Sequence, residues 1–130
     1  MAVISAEAAT DLAARLDFDV DQAGICHACL SFVSFPQRAG DERETRRATN
    51  EFAPILWDEG LEVPVRKALQ RARAAGVPDA DAAAQDIEAR GGRSITVKAI
   101  VRRLAADLLK RSDGDLLRRG FKPWPPAEWN

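Results

Sequence analysis

Three residues of this chain could do chemistry together. Cys26, His27 and Cys29 lie in D-Q-A-G-I-C-H-A-C-L-S-F-V-S-F, from Asp21 to Phe35, which holds both cysteines and the only histidine. On a helix, residues three apart share a face, and their Cα atoms lie about 5.5 Å apart, within the reach of a disulfide. A protonated His27 would favour the thiolate. These are the parts of a thiol-redox switch, with Cys26 and Cys29 as the reacting pair and His27 as their neighbour.

Other features weigh against that chemistry. With Asp21 as N-cap, Cys26 is the fifth helical residue, past the turn where the helix dipole acts strongly. No βαβ pattern surrounds the motif, which argues against a thioredoxin-like fold. A metal needs three or four ligands, and His27 is turned by about 100° from its cysteine neighbour. No metal site is expected. Buried cysteine behaves as a small hydrophobe, so packing is the favoured reading and redox the alternative. Gly24, His27, Ser31 and Ser34 share one narrow face of an otherwise apolar segment. Such a helix is expected near the centre of the fold, with that stripe as a solvent edge, a close crossing or a pocket lining.

Charge supplies the second group of candidates. Residues 1–65 carry 12 acidic and 5 basic side chains, and residues 66–130 carry 8 and 14, for a net charge of −1. Opposed halves can pair within one fold or between two copies, or meet a charged partner. The basic half includes Arg93, Lys98, Arg102, Arg103, Arg118, Arg119 and Lys122. A helix-turn-helix reading of residues 81–104 fails on its apolar slots. Asp86, Glu88 and Arg90 stand where that motif packs apolar residues before the turn, and Gly92 fills the slot after it. Nucleic-acid binding through the basic half is therefore a minor alternative.

The segment F-K-P-W-P-P-A-E-W-N places Phe121, Trp124 and Trp129 among three prolines. A proline-stiffened aromatic segment is pre-organised for docking, onto the body of the protein or onto a partner. Phe121, Trp124, Trp129, Arg102, Arg103, Arg118 and Arg119 are the candidate partner-binding residues.

The elements that must position these groups read as helices throughout. Alanine is abundant, Tyr is absent and strand alternation is lacking, which favours helix. Ser5 suits the cap of a first helix with Ala9, Leu12, Ala13 and Leu16 on one face. The Asp21–Phe35 helix is second. A third starts near Asp41 and carries Ala48, Phe52, Ile55 and Leu56; Pro54 should kink or split it and Gly60 should end it. Pro64 fits the first turn of a fourth, with Val65, Ala68, Leu69 and Ala72 inward and Arg66, Lys67, Arg71 and Arg73 outward. Gly76-Val77-Pro78 is a stop. Asp79 should cap a fifth helix running to Arg90, closed by Gly91-Gly92. Ser94 or Thr96 should cap the sixth, with a stripe of Val97, Ile100, Val101, Leu104 and Leu108. If Thr96 is the cap, Ile95 can staple to Ile100. A short turn after Asp113 precedes the tail.

The expectation is one compact all-α domain over residues 1–120, a bundle of about six helices centred on the second and sixth, with a tail over 121–130. Residues 1–18 do not read as a secretory signal, and no apolar run approaches the ~18 residues that span a bilayer. A cytoplasmic protein with reduced thiols is expected. Walker-type, dinucleotide, zinc-protease and serine-hydrolase motifs are absent, so no cofactor is expected and an enzyme is the lesser reading. The leading function is a small helical interaction or regulatory protein that binds another protein or itself.

Overall fold

The computed structural model describes residues 4–18 and 42–112, all of it helix, turn or irregular chain, with no strand among the described residues. The protein is all-α. The helices are α1 (Ala6–Arg15), α2 (Glu42–Leu56), α3 (Glu62–Ala74), α4 (Ala80–Arg90) and α5 (Ile95–Ser112). A π-helical turn, Trp57–Leu61, joins α2 to α3, and a 3-10 turn, Gly91–Arg93, precedes α5. Because α2, the π turn and α3 run on without a loop, the described residues form four helical segments where six helices are expected. The expected Asp21–Phe35 helix and the turn after Asp113 lie outside the described residues.

Each described helix has a local cause. The Ser5 hydroxyl accepts a hydrogen bond from the Ala8 N–H at 3.1 Å and starts α1. Pro64 sits in the first turn of α3, where its missing donor costs nothing. α3 ends in a Schellman arrangement. Gly76 has φ 73°, the Val77 N–H donates to the Ala72 carbonyl at 2.9 Å, and the Gly76 N–H donates to that of Arg73 at 3.1 Å.

Two expected breaks turn out differently. Pro54 does not split α2, which continues through it to Leu56. Gly60 does leave helical geometry, at φ 122° and ψ −2°. That conformation suits only glycine, yet α3 begins two residues later. The break is a kink, not a gap.

A single apolar core joins the pieces. Leu12, Leu56, Leu61, Val65, Ile87, Val97, Ile100, Val101 and Leu104 are all less than 2% exposed. α5 is the hub: α1 lies along it with the most extensive contact, and α2 and α4 pack on it as well. α3 joins through α4 and the π turn. The α5 stripe is confirmed from Val97 to Leu104, and that of α3 at every expected position. On α2 the seam is broader than the sequence suggests. Thr49 and Ala53 are fully buried, while Phe52 and Ile55 pack at its edge. No helix among the described residues is long and apolar enough to cross a membrane.

The tightest approach is at Gly92. A Cβ built there would lie 2.8 Å from the Pro54 Cα and 2.8 Å from the Trp57 Cβ. Glycine lets the chain entering α5 press directly on the end of α2. Gly92→Ala should therefore cost about 1–3 kcal/mol through overpacking against atoms on or next to backbone. Urea denaturation would measure it, and a change within about 0.5 kcal/mol would show that the joint can yield.

Candidate functional site

The thiol constellation of Cys26, His27 and Cys29 lies outside the described residues, as do Phe121, Trp124, Trp129, Arg118 and Arg119. Among the described residues no group of three or more His, Cys, Asp or Glu side chains gathers as a metal site would require. Of the expected partner-binding residues, the structure places Arg102 and Arg103. Both are exposed on α5, as is Ala106, while Lys98 and Ala99 are half-buried and Ala99 packs against the core. Arg103 Nε donates to Asp107 Oδ2 at 3.1 Å, a pair laid along the helix.

The start of α5 uses Ser94, one of the two expected caps, together with a carboxylate from α4. Asp86, which reads as a charge in an apolar slot, has a side chain only 4% exposed. Its Oδ2 accepts from the Thr96 N–H at 3.2 Å, and its Oδ1 accepts from Arg90 Nη1 at 3.3 Å. Ser94 is the cap: its Oγ accepts from the Val97 N–H at 2.9 Å and its carbonyl from the Lys98 N–H at 3.1 Å. The Ile95–Ile100 staple, which requires Thr96 as cap, does not apply. A carboxylate at the positive end of a helix is favourable. Here it occupies donors that would otherwise greet a phosphate, so the first turn of α5 is spent inside the protein. Thr96 Oγ1 is buried without a partner.

Asp79 also corrects the sequence reading. It stands at the head of α4, but its backbone is left-handed at φ 69° and its side chain makes no capping bond. Its carbonyl, not its carboxylate, serves the helix, accepting from the Ala83 N–H at 2.9 Å.

The basic face of α3 is tied down locally. Arg66 bonds Glu62 at 3.0 Å and Glu88 of α4 at 3.4 Å, and its guanidinium lies 5.5 Å from the centre of the Trp57 ring. Arg73 pairs with Asp81 at 2.7 Å. Arg71 reaches α1's end, but to the Asp17 backbone carbonyl, at 2.9 Å. Lys67 is exposed and has no ion-pair partner among the described residues.

An acidic face stands apart from these, and the sequence reading missed it. Glu7 and Asp11, with Ala6 and Thr10, line a shallow, open groove of about 410 Å³ on the outer side of α1. The four-residue spacing of the two carboxylates is the signal that could have found it. Comparison with known proteins finds no matching family model, no matching curated protein and no matching solved structure.

The Asp86 arrangement has a testable cost. Asp86→Ala leaves the Thr96 N–H buried without an acceptor and should lose about 1–3 kcal/mol of stability. Asp86→Asn keeps one acceptor oxygen and should recover part of that loss. Equal effects of the two in chemical denaturation would show that the bond to Thr96 contributes nothing.

Proposed function

We propose that this is a small helical interaction or regulatory protein that acts through protein–protein contacts. One observation carries the reading: several acidic side chains of residues 1–65 stand on the surface outside the ion pairs described above. Of those pairs only Arg66–Glu62 joins the two halves, while Arg66–Glu88, Arg73–Asp81, Arg90–Asp86 and Arg103–Asp107 lie within residues 66–130. On the acidic side, Glu7, Asp11, Glu51, Asp58 and Glu59 face solvent with no ion-pair partner among the described residues. Charge that is polarised along the chain and left outward steers association and selects partners.

The setting we assign is cytoplasmic, and the expected contacts are the charged helix faces, Arg102 and Arg103 included, and the Trp124 segment. Trp and Arg are the usual anchors of such contacts. Sedimentation velocity at low and high salt tests self-association, and a pull-down comparing the native chain with Trp124→Ala tests a docked partner. The reading expects either salt-sensitive self-association or a partner whose retention falls with the Trp124 change. A strict monomer with no Trp124-dependent partner overturns it.

A further inference from the structure

We infer that Gly60 is a one-residue hinge through which two copies of this chain exchange arms, α1 and α2 of one copy packing on α3, α4 and α5 of the other. The inference goes beyond the charged contacts proposed above and does not depend on them.

The backbone at the hinge is the first observation. Leu56, Leu61 and Glu62 have right-handed helical angles, and within the π turn Gly60 alone departs, at φ 122° and ψ −2°. Turning that one residue to helical angles would run α2 into α3 as a single helix. No packing holds Gly60 where it is, since a Cβ built there meets no packed atom within 4 Å. Gly92 is the contrast, where packing itself excludes a side chain. The bend at Gly60 is set by the backbone.

Pro64 is the second observation. It stands four residues on, buried in the first turn of α3. In a continuous helix its nitrogen would face the Gly60 carbonyl with no hydrogen to donate, and its ring would press on that oxygen. Glycine permits the bend and proline penalises the straight form. Together they keep the chain folded back on itself, and replacing them releases the hinge.

The third observation is where the contacts run. The five ion pairs described above all lie within residues 62–107, as does the bond from the Thr96 N–H to Asp86. α3, α4 and α5 therefore form an arm with contacts of its own. α1 and α2 meet that arm chiefly on α5 and the Gly91–Arg93 turn, and at the Arg71 bond to the Asp17 carbonyl. None of these contacts depends on which copy supplies each arm. Reciprocal exchange keeps them, gives the pair a two-fold axis and changes only the hinge. A second copy is the one partner whose fit is already built into the fold.

A hinge series tests this. Pro64→Ala, Gly60→Ala and G60A/P64A are each refolded from urea at high chain concentration, in about 0.5 M salt to screen surface charge contacts. Size exclusion with light scattering reads the dimer. The native chain should stay mostly monomeric. The double variant should dimerise at least about tenfold more strongly, and each single variant by less. In a dimer refolded from isotope-labelled and unlabelled chains, filtered NOEs should connect buried side chains of α1 in one copy to those of α5 in the other. Association through surfaces cannot imitate that pattern.

A double variant that refolds as a monomer overturns the inference, as does a dimer whose α1–α5 NOEs stay within one copy. If circular dichroism shows the double variant unfolded, Pro64→Ala decides, and no more dimer than the native chain overturns it equally. The interaction reading stands or falls separately, because its tests use salt-sensitive association of the native chain and the Trp124 change.

Discussion

The close approach at Gly92 is the constraint on which the arrangement of helices depends. At that point the end of α2, the ring-bearing Trp57 of the π turn and the chain entering α5 meet with no side chain between them. Any residue with a Cβ would hold α5 off, and α5 is the helix against which α1, α2 and α4 all pack. Asp86 then fixes the direction in which α5 leaves the joint, by holding the Thr96 N–H from below. Position comes from a missing side chain, and orientation from a buried carboxylate. The apolar stripe of α5 supplies most of the burial, but it could do so in several rotations. These two polar and steric contacts select one.

The same division runs through the surface. Where a cation must be held, a carboxylate lies one turn away on its own helix, as in Arg66–Glu62 and Arg103–Asp107, or across to α4, as in Arg66–Glu88 and Arg73–Asp81. Such exposed pairs contribute little to stability individually. Their larger effect is on charge distribution: the C-terminal part of the fold neutralises some of its own cations, and the carboxylates of α1 keep theirs facing outward. Arg66 is the exception that reaches inward, since its stack on Trp57 also shields the ring next to the Gly91–Gly92 turn.

Much of the helical framework was legible in the sequence because its signals are local. Ser5, Pro64, Gly76 and the Val97–Leu104 stripe act within one or two turns, and the structure shows each in its expected place. What was missed depends on how segments meet and on backbone geometry that composition does not fix. Asp86 was read only as a departure from the helix-turn-helix pattern, because its partner is Thr96, ten residues on and across a turn. Asp79 looked like a cap because its composition fits one, while the turn that it closes needed a left-handed backbone more than a side-chain acceptor. Thr49 and Ala53 were missed because Phe52 and Ile55 are larger, and size alone does not say which side of a helix faces the core. Of the candidate site, the cations of α5 were legible and the acidic groove of α1 was not, since a carboxylate pair gains meaning only once its face is seen to be open.

The loopless junction at Trp57–Leu61 bears on how a chain like this can vary in length. Each residue added or removed there would turn α3 by about 100° about its axis, carrying Val65, Leu69 and Ala72 away from the core and Lys67 toward it. The stretch from Ala75 to Asp79 has no such linkage, because it is mostly exposed and its ends are closed by their own backbone bonds. Insertions and deletions in relatives of this fold should therefore accumulate between α3 and α4, while the distance from Pro54 to Pro64 stays constant.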